Sequence, residues 1–233
     1  MEPLRIYLEL CRVSNLPTVW INTLAACLLA GEGWQLKKIV LLLLGFSLMY
    51  GGGMALNDWL DADTDRLHRP DRPLPSGRIG EREVRICWLS LFTASLGVFY
   101  AAGGLNAFCG GGILLLFVIT YNLSHGFSSL AVVPMAGCRF MIYIVSGIAC
   151  AGRPNLLLLV LAAVQFGYIL YITMVGRREK HAGEAHSRVP VLLAGVPLLD
   201  GVALALAMGI GWIFAGLAGG IATLAAQTKI KGD

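Results

Sequence analysis

Charge is what this chain has least of. Only 14% of its 233 residues are Asp, Glu, Lys or Arg, against roughly 25% in ordinary soluble domains. The charges are also bunched, and residues 156–175 carry none at all. That scarcity argues against a soluble globular domain. With 57% hydrophobic residues and a mean hydropathy of +0.72, the pattern is that of a polytopic helical membrane protein. The six cysteines lack any Cys-x-x-Cys or Cys/His spacing, so they read as small packing residues rather than as a zinc or redox site. The first residues are too polar for a signal peptide, so the first hydrophobic segment is expected to be retained. No internal repeat or low-complexity segment is evident.

What is present is a series of apolar runs. A membrane-spanning helix needs roughly 20 apolar residues. The runs predict eight spans, at about residues 16–31, 38–56, 86–104, 106–123, 130–151, 155–175, 189–207 and 209–227, in a single all-α domain over 1–233. The last two need a turn between them, because 39 helical residues would be roughly 58 Å long. Candidate turns are the stretch containing Asp200 and the glycines at Gly209–Gly211; a seven-span arrangement with a re-entrant piece is the alternative. Glycines at 51–53, 110–112, 216 and 220 would let helices approach closely.

The basic residues orient the bundle. Arg5 and Arg12 precede the first span. Six arginines (66, 69, 72, 78, 82 and 85) follow the second, Arg177, Arg178, Lys180 and Arg188 follow the sixth, and Lys229 and Lys231 follow the eighth. With eight spans all of these fall on one side, leaving only Lys37, Lys38 and Arg153 opposite. Both termini and the charged loops are therefore expected to be cytoplasmic. The net charge of +4 is explained by this asymmetry and does not indicate nucleic acid.

The segment 57–85 stands apart. It carries seven acidic residues and six arginines at the end of the second apolar run. If that helix continues through Asp65, then at about 100° per residue Asp61, Asp65 and Asp58 lie at roughly 40°, 80° and 100° from Asn57, with Asp63 at roughly 240°. Four oxygen-bearing side chains would share one narrow face. Carboxylates so close repel one another unless a cation joins them, and Mg²⁺ prefers a few carboxylates together with phosphate oxygens and water. The face therefore points to a Mg²⁺–diphosphate site. The competing reading is a solvated, self-neutralising salt-bridged loop. The stiff turn Arg72-Pro73-Leu74-Pro75-Ser76-Gly77-Arg78 favours the first, because it sets arginines, whose planar fork suits phosphate, near the same mouth.

Asn57-Asp58-x-x-Asp61-x-x-x-Asp65, followed by Arg72-Pro73-x-Pro75-x-Gly77, resembles the first aspartate-rich motif of the UbiA superfamily of intramembrane prenyltransferases. The opening Arg12-Val13-Ser14-Asn15-Leu16-Pro17 is also similar. The resemblance implies a ring of helices around a lipid-open central cavity; family members usually have nine. It further implies an integral protein of a bacterial inner membrane that binds an isoprenyl diphosphate through Mg²⁺, releases diphosphate, and alkylates an aromatic or lipid acceptor with the allylic carbocation. Asn57, Asp58, Asp61 and Asp65 would hold Mg²⁺, with Asn57, Asp61 and Asp65 catalytic. Arg12, Asn15, Arg72, Arg78, Tyr121, Arg139, Arg177, Arg178 and Glu179 would bind substrate.

The chain departs from that family after the sixth span. In place of a second aspartate motif stands Arg177-Arg178-Glu179-Lys180-His181-Ala182-Gly183-Glu184-Ala185-His186, resembling a subgroup with an Arg-x-Glu sequence there. Glu179 and Glu184 are five apart, which does not stack carboxylates on one helical face; His181 and His186, at the same spacing, make a poor chelate. Arg139 lies in or at the edge of the fifth span, where a charge usually faces the bundle interior. Tyr121, Asn122 and His125 stand where the family often has Tyr and Lys. Two other readings compete. A CDP-alcohol phosphotransferase needs Gly after its second Asp, but Ala62 follows Asp61. A degenerate, non-catalytic isoprenoid-lipid carrier would fit the missing second motif.

Overall fold

The computed structural model describes residues 2–31, 33–124, 131–182 and 188–229. Among them every regular element is helical: α1 (Glu2–Leu10), α2 (Leu16–Leu29), α3 (Leu36–Leu60), α4 (Ala62–His68), α5 (Glu81–Ser124), α6 (Val132–Ala151), α7 (Leu156–Ala182), α8 (Val189–Met208) and α9 (Ile213–Lys229), with short 3₁₀ turns at Val13–Asn15 and Ile210–Trp212. Six helices are long and apolar enough to cross a membrane, and Val13–Leu29 forms a shorter apolar one. Large apolar side chains such as Leu105, Leu116, Leu156, Leu206 and Phe214 face outward. Such a surface is stable in hydrocarbon rather than in water. The chain is an integral, multi-pass membrane protein.

The runs expected at 86–104 and 106–123 are two helical arms of α5, separated at Gly103 and Gly104, whose backbone is not helical. The arms fold back on one another, so that a Cβ on Gly111 would collide with the Phe99 ring. Gly104 has φ 65 and ψ −156, a region open in practice only to glycine. Gly104→Ala is therefore expected to lower stability by about 1–3 kcal/mol, read as a lower thermal midpoint in detergent. Gly97→Ala on the same helix, where a Cβ meets nothing within 4 Å, is the control that should leave the midpoint in place. Of the two turns considered between residues 189 and 227, the chain uses the glycine one: α8 ends at Met208, and Gly209 at φ 113 reverses the path. Asp200 lies inside α8, fully buried. α8 and α9 pack so closely that a Cβ on Gly201 would stand 2.8 Å from the Gly216 Cα.

Helices pack on their successors, α3 on α5, α5 on α6 and so on to α9, which returns against α2. α2 also touches α6 and α8, so its residues are buried on several sides, polar ones included: Thr18, Asn22 and Thr23 are at most 1% exposed. One local expectation is corrected. The helix bearing Asn57 does not run unbroken to Asp65. α3 stops at Leu60, and Asp61 (φ −88, ψ 3) separates it from α4. The i→i−4 bonds Asp61 N to Asn57 O (2.9 Å) and Asp65 N to Asp61 O (2.8 Å) survive, so the break bends the acidic face without scattering it.

Candidate functional site

The polar mouth begins at Arg12. Its backbone is left-handed (φ 45, ψ 50), the one positive φ at a non-glycine among the described residues. Such a conformation costs on the order of 1–3 kcal/mol and persists where the surroundings enforce it. Here the side chain makes the compensating contacts: Arg12 Nη2 donates to Asn57 Oδ1 at 3.0 Å and to Asp58 Oδ1 at 2.8 Å. Burial pushes the Arg12 pKa down, but the Asp58 charge beside it outweighs that and holds it above its ordinary value. Arg12 is therefore a permanent cation.

Arg72 closes the other side. Its loop is anchored by Leu74 and Ile79, which join Leu10, Ala55, Ala62 and Val84 in a small buried cluster. The Arg72 carbonyl accepts from Ser76 N (3.0 Å) and Ser76 Oγ (2.7 Å). So placed, Arg72 Nη1 donates to Asp65 Oδ2 at 2.5 Å and Asp58 Oδ1 at 3.3 Å. Asn57 Nδ2 in turn donates to Asp61 Oδ2 at 3.1 Å. Asn57, Asp58, Asp61 and Asp65 thus belong to one hydrogen-bonded cluster with Arg12 and Arg72. Asp63, whose side chain is 95% exposed, faces away and pairs with Arg66 at 2.6 Å, as the helical angles anticipate.

The remaining candidates divide. Tyr121 lies within electrostatic reach of Arg12, Asp61 and Arg177, which places the last turns of α7 near the acidic cluster. Asn15 accepts from Gln227 Nε2 at 3.0 Å, tying the end of α9 to the mouth. It also bonds to Tyr50. Glu179 is 7% exposed, and both its oxygens accept from the Arg188 backbone N–H at 3.1 Å; in this position it holds the start of α8. Arg178 is exposed. Glu184, His186 and His125 lie outside the described residues, as does the His181 side chain.

Arg78, in contrast, is turned away from the cluster. It donates to Glu9 Oε2 (2.7 Å), Asp71 O (2.7 Å) and Ser76 Oγ (3.1 Å), fastening the loop to α1. Slight burial raises the Glu9 pKa, but the hydrogen bonds from Arg78 and Arg5 prevail and hold it below the usual carboxylate range. The pairing therefore contributes above the ordinary Glu pKa and is lost as pH falls through the lowered one. Arg78→Ala is expected to cost no more than about 1 kcal/mol of stability, the worth of a half-exposed ion pair, and to leave diphosphate binding intact. A thermal melt and a binding titration on the same sample check both halves of that statement.

Arg139 sits deeper, seven residues or about 10 Å into α6. It donates from Nη1 to Asn22 Oδ1 (2.5 Å) and from Nη2 to Thr18 Oγ1 (3.1 Å). Asn22, Tyr50 and Gln227 were not singled out by the sequence. They are uncharged residues in apolar runs, with no motif around them.

Among the described residues no group of three or more Asp, Glu, His or Cys side chains is arranged to hold a metal ion, because arginines lie between the carboxylates. The donor chemistry nevertheless suits a hard cation. Asn57, Asp58, Asp61 and Asp65 offer only oxygens, and Mg²⁺ takes one or two carboxylates and completes its octahedron with water and phosphate.

Fold and site together define a multi-pass helical membrane protein with an oxygen-donor and guanidinium cluster at one end of its bundle. The sequence profile of the UbiA prenyltransferase family matches residues 19–230. The chain belongs to that family. It is 34% identical over 95 residues to digeranylgeranylglyceryl phosphate synthase of Methanopyrus kandleri, covering 41% of this chain and 35% of that one. With the enzyme of that name from Methanothrix thermoacetophila it shares 38% over 103 residues (44% and 38%), and with that of Sulfolobus acidocaldarius 32% over 130 residues (55% and 46%). The matched part thus spans less than half of these relatives. In fold it resembles a solved structure of digeranylgeranylglyceryl phosphate synthase, with a TM-score of 0.70 at 21% identity, covering 98% of this chain and 88% of that one. It also resembles a UbiA homologue from Archaeoglobus fulgidus bound to DMAPP and Mg²⁺, with a TM-score of 0.62 at 18% identity, covering 97% and 88%.

Proposed function

We propose that this chain transfers an isoprenyl group from an isoprenyl diphosphate to an acceptor within the membrane. One observation carries the reading: Asn57, Asp58, Asp61 and Asp65 share a cluster with Arg12 and Arg72 at the end of the bundle. Asn57, Asp61 and Asp65, with Asp58 beside them, are the groups that would hold Mg²⁺. Bound there, the metal would supply charge neutralisation for the departing diphosphate. Arg12 and Arg72 would exchange some of their carboxylate contacts for phosphate oxygens, and Arg177 would approach from the side where the family's second motif belongs. Donors already aimed at the mouth would stabilise charge as it develops on the leaving group without reorganising. The apolar wall of α2, α3 and α5 would keep water from the allylic cation.

We place the mouth on the cytoplasmic side, with both termini, on the strength of the arginine asymmetry. Eight crossings around a lipid-open cavity follow if α2 crosses and α5 crosses twice. The relatives' name suggests geranylgeranyl as the group and a glyceryl phosphate lipid as the acceptor. The test uses the purified chain in nanodiscs with geranylgeranyl diphosphate and a geranylgeranylated glyceryl phosphate. Mg²⁺-dependent release of diphosphate, suppressed by EDTA and matched by an alkylated lipid product, is the expected result. Mg²⁺-dependent binding without any turnover would indicate a carrier instead.

A further inference from the structure

Inside the bundle, on the side of Tyr50 away from the mouth, lies a second polar group that the reaction above does not use. Asp200 of α8, Asn22 of α2 and Tyr143 of α6 are all 0% exposed. Tyr143 Oη donates to Asp200 Oδ1 at 2.5 Å, Asn22 Nδ2 donates to Tyr143 Oη at 2.9 Å, and Asn22 Nδ2 also donates to Asp200 Oδ2. Both amide hydrogens of Asn22 are thereby committed, which leaves its Oδ1 facing Arg139 Nη1. The amide cannot be flipped, because that would set its oxygen against a carboxylate and its N–H against a guanidinium.

The consequence concerns charge. Asp200 accepts from neutral donors, and Arg139 donates to neutral acceptors, Asn22 and Thr18. Among the described residues no carboxylate reaches Arg139 within ion-pair distance, whereas Arg12, Arg66, Arg72 and Arg78 all have one. Asp200 and Arg139 attract one another through space, with the Asn22 amide bonded to both of them between. Arg139 is itself half-buried although Asn22 and Thr18 are sealed, so part of its surface faces open space. Tyr50 stands between it and the mouth, within electrostatic reach of both Arg139 and Arg12.

We infer that Asp200, Asn22 and Tyr143 are positioning residues that hold the Arg139 guanidinium ready for an anionic phosphate oxygen brought into the bundle by a substrate. This rests on the prenyl-transfer reading and adds a phosphate-recognition point deeper in the bundle than the mouth, about 10 Å along α6 from its first residue. A guanidinium with no carboxylate in contact keeps more of its attraction for an incoming anion than a directly paired one.

The decisive variant is the exchange Asn22→Asp with Asp200→Asn. It conserves total charge and can conserve the hydrogen bonds, but it sets the carboxylate directly against Arg139. Binding is measured on the full chain in nanodiscs with two probes: geranylgeranyl diphosphate with Mg²⁺, and dioctanoyl phosphatidic acid without Mg²⁺, with dioctanoylglycerol as the neutral control. The exchange is expected to keep the thermal midpoint and to weaken at least one phosphate probe about tenfold or more. Loss in the diphosphate arm identifies the donor's phosphate as the partner, and loss in the phosphatidic acid arm identifies the acceptor's. Unchanged affinity for both, or wild-type chain that binds neither, overturns the inference. Should the exchange fail to fold, Arg139→Lys, which keeps the charge and loses the fork, is judged by the same criterion. The Mg²⁺-free arm needs neither the mouth nor turnover, so failure of the prenyl-transfer reading is visible separately.

Discussion

Asp61→Asn and Asp65→Asn are each expected to reduce Mg²⁺-dependent diphosphate release by about 10²–10³-fold, the range seen when one preorganised group is removed from a developing charge. Asn keeps the size of Asp and an accepting oxygen, so folding should survive, but a carboxylate charge disappears from the metal donors. Asp65 is the more constrained of the two. Its side chain is 8% exposed and bonded to Arg72 at 2.5 Å, so the variant also loosens that guanidinium. The control lies two residues away. Asp63, 95% exposed and paired only with the surface Arg66, can be changed to Asn with little effect, because such pairs contribute little. Activity is read over a Mg²⁺ titration, and a thermal melt reports folding. For Asp61 and Asp65 the Mg²⁺ requirement should move to higher concentration. Equal losses from all three would mean that the acidic loop acts only through its net charge, and the site assignment would fall.

The contrast between Asp63 and its neighbours was legible in the sequence, because helical periodicity is local and survives the bend at Asp61. The turn at Gly209 was one of two candidates the sequence offered, and the structure uses it because a glycine can adopt a conformation its neighbours resist. Two features were not legible. The loop arginines look alike in sequence, yet Arg72 enters the cluster while Arg78 fastens α1 through Glu9. Which one goes where depends on how Leu74 and Ile79 anchor the loop, and that is a tertiary choice. The bonds joining Asn22 to Tyr143 and Asp200 span more than a hundred residues. No spacing rule reaches so far, and an Asn in an apolar run gives no signal until its partners are known. The break at Gly103 and Gly104 was legible as the boundary between two apolar runs.

Arg12→Leu is expected to be the most damaging single substitution to stability. Arg12 and Asp58 have side chains only 13% and 3% exposed and meet at 2.8 Å. Taking away one member of a buried pair leaves the other charged and poorly solvated, which costs about 3–5 kcal/mol. Arg72 offers Asp58 only a longer contact of 3.3 Å and is already committed to Asp65. The loss also removes the side-chain contacts that offset the left-handed backbone at residue 12. Because Asp58 holds the Arg12 pKa above its ordinary value, the wild type keeps the pair's contribution until pH rises through that raised pKa, beyond the working range. The strain and the stranded charge can be separated by the double variant Arg12→Leu with Asp58→Asn. Removing the orphaned carboxylate should recover most of the lost thermal midpoint. It should not recover affinity for geranylgeranyl diphosphate, since a phosphate partner and a metal-binding carboxylate are then both missing. Recovery of midpoint without affinity separates the two roles of Arg12: counter-ion to Asp58 in the empty mouth, and phosphate ligand in the filled one. If the double variant binds the diphosphate as the wild type does, Arg12 is a structural counter-ion alone and has to be removed from the site.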